Sequence, residues 1–452
     1  MPSPRRPPPL RRDHARPRTA TAPSNDAIAA GLTDLVSPAA FSQAAEYRRR
    51  GLRERVLALP VMVAVVLTVV WRQVPAVSEA VRLLARERVL WVPAGVRVRQ
   101  QALSLRLRSL PEALFAGLWA TLAPMLHDRA AARARPLPPV IARVQAHYPR
   151  IWAVDGSTLE ALVKKVGLLR GEPATALGGT LEAVLDLATK LPVSLWLEPD
   201  PDANDLRFRD RIPALLTPGT LLVLDAGYDA FPFFDWLTEH RCGFVIRARA
   251  RRAETVECVL HDSPQVRDRI VALGRSCSNP CANPMRLVEV QVGGRWRPYL
   301  TNILDPQILS AADVVDLDAR RWRIEEAFLL TKRLLGLSYL WSGAYNAIAM
   351  QMRATWLRSG VLVDRTDAVA EELDQPLDAR SLELVFRGLS HVAVAFQAGT
   401  ATDPVAYSPP NPTSASSSAA ASTARAPSWT PGARSLTGNQ SPATRSRVTS
   451  GL

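Results

Sequence analysis

Apolar residues recur at spacings of three and four through residues 27–145, as in AVSEAVRLLARE (76–87) and QQALSLRLRSLPEALFAGLWATL (100–122). That period predicts a run of amphipathic helices. From about residue 149 the texture changes to short apolar runs: RIWAVDGSTL, GGTLEAVLDLA, LPVSLWLE, GTLLVLDAGY and CGFVIRARA read as strands. ANDLRFRDRIPALL and AFPFFDWLTEH between them read as helices. Strands interleaved with helices imply an α/β layer with a mixed sheet. Residues 250–305 interrupt the alternation with β-rich sequence, and a long helix is expected to start near Ala311.

The first residues are rich in Pro and Arg, and 399–452 are rich in Ser, Ala, Thr and Pro. Neither composition buries enough apolar surface to offset the entropy of ordering. The resulting division is a tail (1–26), a helical N-terminal domain (27–146) and a sheet core (147–249). A β-rich insertion (250–305), a return to the core (306–365), a helical segment (366–398) and a second tail (399–452) follow. The longest apolar run, LALPVMVAVVLTVVW (57–71), is shorter than the roughly 18–20 residues a membrane span needs. No membrane partner is expected.

Charge narrows the picture. A net charge of +14 points to a polyanionic partner. Arg106 and Arg108, beside Gln100, Gln101 and Ser104, suit phosphate and base-edge contacts, or equally a solvated basic helix face. Four cysteines in 452 residues make no disulfide framework, so a reducing cytoplasm is the expectation. Cys258, His261, Cys277 and Cys281 have a spacing looser than standard zinc fingers, and plain thiols are the preferred reading.

Asp155 follows IWAV and Asp225 follows LLVL, each at the predicted end of an apolar strand, where α/β sheets place ligands. Either alone reads more simply as a turn former. The third acid is Glu325, in DLDARRWRIEEAFLLTKRLLGL (316–337). On one continuous helix Asp318, Arg321, Glu325, Phe328 and Lys332 fall within a sector of about 80°. An isolated Arg–Glu pair contributes only about 0.2–0.5 kcal/mol. Two Asp and one Glu together can hold two Mg²⁺ or Mn²⁺ ions for an in-line phosphodiester displacement.

The spacing Arg321, Glu325, Lys332, with VDGSTL around Asp155 and LDAGYDAFPFF around Asp225, resembles the DDE transposases of bacterial insertion sequences. The branch is the insertion-sequence-four type with its Y-R-E-K signature, and the likeness spans roughly residues 40–395. The resemblance implies an RNase H-like α/β core with a β-rich insertion and a helical N-terminal DNA-binding domain. Asp155, Asp225 and Glu325 become catalytic metal ligands for two Mg²⁺ or Mn²⁺ ions, and Arg321 and Lys332 phosphate contacts. It implies cutting at terminal inverted repeats through a hairpin and joining to target DNA. It also implies a homodimer in a synaptic complex and a cytoplasmic, nucleoid-associated place in a bacterium. Trp296, between Arg295 and Arg297, becomes a candidate for stacking on an unpaired base, and Arg247 for a phosphate contact. Asp318 stands where the signature has Tyr. An acid there repels phosphate if it points the same way; otherwise it binds a cation or pairs with Arg320 or Arg321. The runner-up reading is a non-catalytic DNA-binding descendant; a third is a structure-selective nuclease without strand transfer.

Overall fold

The computed structural model describes residues 26–49, 56–74, 76–158, 180–198, 208–248, 254–334, 345–382 and 385. Lys164 and Lys165, read as a solvated helix face rather than a DNA contact, Arg249, a phosphate candidate like Arg247, the segments 1–25 and 386–452, and most of ANDLRFRD lie outside them.

Six helices come first: α1 (Asp26–Arg49), α2 (Leu59–Trp71), α3 (Val77–Arg86), α4 (Gln100–Ser109), α5 (Ala113–Ala132) and α6 (Pro139–Gln145). The longest apolar run is α2, in which every residue but Val61 is buried. It is apolar all round because it is enclosed by protein. No described helix is long and apolar enough to cross a membrane. One large apolar cluster joins α1, α2, α4 and α5 to the distant helix α10 (Tyr345–Glu372) through Met350, Ala354, Leu357 and Val361. The opposite side of α10, with Ile348, Met352 and Trp356, packs on the sheet instead. The sequence division places the start of α10 in the sheet core alone; in the structure it is shared. Each fully buried Leu or Met on such a helix contributes about 1.5–3 kcal/mol.

The sheet is mixed and nine-stranded among the described residues: β1 (Arg150–Thr158), β2 (Thr180–Asp186), β3 (Pro192–Glu198), β4 (Thr220–Leu224), β5 (Gly243–Arg247), β6 (Glu254–Asp262), β7 (Val266–Leu273), β8 (Met285–Val292) and β9 (Arg295–Thr301). Their order is β3-β2-β1-β4-β5-β9-β8-β7-β6. β1, β4 and β5 are parallel neighbours, and the other pairings are antiparallel. Central β4 is buried at all five positions, which is why TLLVL shows no alternation. α7 (Phe231–Glu239) makes the crossover between β4 and β5. The β-rich segment 250–305 is a four-stranded meander that extends the core sheet through the β5–β9 pairing. In the predicted helix ANDLRFRDRIPALL, the described part holds a short 3₁₀ turn, Ile212–Leu215.

β3 forms one edge of the sheet, and side chains of the helical body take its outward carbonyls. Trp119 Nε1 of α5 donates to Val193 O (3.4 Å), and Arg353 Nη1 of α10 to Leu195 O (3.2 Å). The Tyr345 hydroxyl of α10 donates to Leu197 O (3.5 Å). These bonds satisfy polar backbone that an open edge would present to another strand.

Candidate active site

Two helices cover the sheet end that carries Asp155 and Asp225. α8 (Ala311–Arg321) starts in a capping box: Asp313 N donates to Ser310 Oγ (3.1 Å), and Ser310 N donates to Asp313 Oδ2 (3.3 Å). It packs on β4, β5 and β8. α9 (Arg323–Leu334) packs on β1 and β2. The stretch read as one helix is therefore two, broken at the exposed Trp322. Asp318 and Arg321 ride on α8, Glu325 in the first turn of α9. The single 80° face does not survive the break: Asp318, Arg321 and Phe328 are buried, and Glu325 is exposed. Lys332 falls on α9, and its side chain lies outside what the structure describes.

Strand register brings four functional groups into one row. Val154 pairs with Leu224, Leu224 with Ile246, and Arg247 with Tyr299. One residue along, Asp155, Asp225, Arg247 and Tyr299 follow one another across β1, β4, β5 and β9. Alternation puts them on the face of Ala153, Val223 and Val245, which pack with Val314 and Leu317 of α8. Asp225 stands immediately after its strand, as expected. Asp155 does not end β1, which runs on to Thr158 paired only with β2; it marks the end of pairing with β4. The partner on the far side, not the strand's own length, opens this position.

α8 answers the row with opposite charges. Arg321 Nη1 donates to Asp155 Oδ2 at 2.6 Å, and its Nη2 lies 3.5 Å from Asp225 Oδ1. One turn earlier, Asp318 Oδ2 accepts from Arg247 Nη2 at 2.7 Å and from the Tyr299 hydroxyl at 3.3 Å. Asp318 Oδ1 is 3.9 Å from Arg321 Nε. The Arg321 side chain is 6% exposed and Asp155 14%, whereas Asp225 is 45% exposed. Burial pushes the Asp155 carboxyl up to about 6; Arg321 and the Gly156 N–H pull it down, and the charges of Asp225 and Glu325 add to the rise. Those two acids therefore act on Asp155 through space. Burial draws the Arg247 guanidinium down, but Asp318's charge and hydrogen bond outweigh it and leave it raised. The Tyr299 phenol is raised first by burial and then by Asp318. Sequence reading missed Tyr299, whose place depends on the β5–β9 register rather than on any local signal.

Trp296 lies three residues before Tyr299 on β9, beyond the row, next to the Gly293–Gly294 turn. Both glycines have positive φ (58° and 76°), as a tight two-residue hairpin requires. The Arg267 guanidinium sits 4.4 Å from the Trp296 ring centroid. On α4, Gln100, Gln101 and Arg108 are exposed, while Arg106 Nε donates to Leu57 O.

Among the described residues no group of three or more His, Cys, Asp or Glu side chains stands ready to hold a metal ion. Cys258 and Cys277 are exposed, and Cys281 is buried with its thiol donating to Asp235 Oδ1 (3.3 Å). In the acidic cluster, the Arg321 guanidinium contacts both aspartates.

Residues 177–353 match the family model described as a transposase DDE domain. The span holds Asp225, Arg247, Asp318, Arg321 and Glu325, and leaves out Asp155 and helices α1–α6. No curated protein matches this chain. The match supports a DDE transposase, and with it DNA as the substrate.

Proposed function

We propose that the chain is the transposase of an insertion sequence of the insertion-sequence-four type, cutting and joining DNA at Asp155, Asp225 and Glu325. The observation that carries this reading is the cross-strand row, in which two carboxylates on adjacent parallel strands lie beside a half-exposed arginine. The donor set suits a hard divalent cation: it is all carboxylate, and Asp155, pushed up to about 6 chiefly by burial, is raised further by the charges of Asp225 and Glu325, which a cation would offset. Asp155, Asp225 and Glu325 would hold Mg²⁺ or Mn²⁺, two ions per site, and bound metal would activate the attacking oxygen and stabilise the leaving one.

The chain's own residues do the rest. Asp155, mostly covered and held by Gly156 N–H and Arg321, is the rigid ligand, and half-exposed Asp225 and exposed Glu325 are the adaptable ones. Arg247 and Lys332 receive phosphate, and Arg321 does so on release from the aspartates. Trp296 stacks on an unpaired base. The exposed Gln100, Gln101 and Arg108 of α4 give helices 27–146 a DNA-binding face. Terminal inverted repeats, a hairpin intermediate, target joining, a homodimeric synaptic complex and a cytoplasmic, nucleoid-associated setting complete the reading.

A second reading, a DNA-binding descendant that does not cut, draws support from Arg321, whose contacts tie up Asp155 and Asp225. One experiment separates the two. The protein is incubated with Mg²⁺ or Mn²⁺ and DNA carrying its element's terminal repeats, beside Asp225→Asn. Metal-dependent cleavage reduced by about 10³-fold in the variant is the expected result. Binding without cleavage would sink the enzyme.

A further inference from the structure

Asp318 and Arg247 are far apart in sequence and meet only because α8 crosses β5. The Asp318 side chain is 5% exposed, and it contacts Arg247, Tyr299 and Arg321. Arg247 is different: one end of its guanidinium is bonded to Asp318, while the side chain is 39% exposed. It sits one strand from Asp225 and two from Asp155, or about 5 and 10 Å along the row. The arginine is thus fixed from behind and open in front, beside the carboxylates.

We infer that Asp318 is the positioning residue of Arg247, holding its guanidinium where it meets a phosphate of a DNA strand laid along the row. The inference rests on the proposed reading that this face binds DNA. A free arginine gives up rotamer freedom when it grips phosphate; one already held gives up less and binds more tightly for the same charge. Asp318 itself stays behind the arginine and never meets the DNA. The Tyr299 hydroxyl donates to the same carboxylate oxygen at 3.3 Å and braces Asp318 from the neighbouring strand. An acid at this position is thereby compatible with a phosphate site, because its charge is turned onto Arg247 and Arg321.

The test measures binding of the full chain to a fluorescent mixed-sequence DNA duplex over a salt series. It compares wild type, Arg247→Ala, Arg247→Lys, Asp318→Asn and the double variant Arg247→Ala/Asp318→Asn. Arg247→Ala should lower the slope of log K against log salt by about 1, because one phosphate fewer is neutralised. Asp318→Asn should keep the slope, because the arginine's charge remains, yet weaken binding by about two- to tenfold as preorganisation is removed. In the Arg247→Ala background Asp318→Asn should add nothing, an absence that a merely structural role would not produce. Arg247→Lys sits at a half-exposed position and tests the idea even if Asp318→Asn unfolds: it should match Asp318→Asn in affinity and wild type in slope. An unchanged slope in Arg247→Ala, multiplicative losses in the double variant, or wild-type affinity in Arg247→Lys would each overturn the inference. Wild-type protein that binds but does not cut in Mn²⁺ overturns the proposed enzyme and leaves this inference to be judged by the slopes. Protein that does not bind DNA at all overturns both.

Discussion

The two halves of the cross-strand row are built from the same chemistry turned around. On β1 and β4 the sheet offers carboxylates and the helix an arginine; on β5 and β9 the sheet offers an arginine and a phenol and the helix a carboxylate. Counted with Glu325, four carboxylates face two guanidinium groups, and the excess lies entirely on the Asp155 side. One half is short of positive charge and invites a cation. The other is balanced and keeps an exposed guanidinium for an anion. A phosphodiester laid across both would meet the exposed guanidinium directly and the carboxylates only through a cation held between them.

Removing the shared helix cation should break the contrast most severely. Arg321→Met leaves Asp155, mostly covered by protein, without its partner, and breaking a buried pair of this kind costs about 3–5 kcal/mol. Urea melts should show a loss near the low end, because Asp225 is half open to solvent; a loss below about 1 kcal/mol would mean that water already screens the acids.

The next effect is acid-linked. Asp155 titrates near 3.8 when unfolded and at about 6 when folded, so the native state holds the proton more tightly. The stability that proton contributes is complete below 3.8 and is lost as pH rises through about 6. In chelator, wild type should lose about 3 kcal/mol between those limits relative to Asp155→Asn. Parallel stability curves for the two proteins would show that burial does not raise the Asp155 carboxyl in the folded chain.

Beyond the balanced half, Trp296→Ala should weaken binding to DNA with unpaired bases by about 1–3 kcal/mol and leave duplex binding and the melting temperature nearly unchanged. An equal loss on both DNAs would make Trp296 a support for Arg267 instead.

Part of the carboxylate half was legible from the chain alone. Asp225 follows an unbroken apolar strand, so local pattern placed it, whereas Asp155 stays inside β1 and Glu325 lies beyond a helix break. The balanced half was not legible. Tyr299 reaches the row only through the β5–β9 register, and Asp318 reaches Arg247 only through the way α8 crosses the sheet. The break at Trp322 has neither Gly nor Pro to announce it, so helical periodicity ran straight through. Nor does periodicity say which neighbour an apolar face will choose, and for α10 it chose two. The cysteines and histidine of the zinc alternative had only loose spacing behind them, and the fold keeps Cys258 and Cys277 at the surface.

The capped carbonyls of β3 have a consequence for how this architecture can be taken apart or enlarged. Trp119, Arg353 and Tyr345 stand in for a missing neighbour strand, so the sheet is finished on that side and can lengthen only past β6, whose residues are almost all exposed. New sequence is most easily accommodated at that growing end, several strands from Asp155. A fragment trimmed to the β-sheet alone would lose Trp119 with its helix and regain a bare hydrogen-bonding rim, inviting fibrous self-association where the intact chain has a seam.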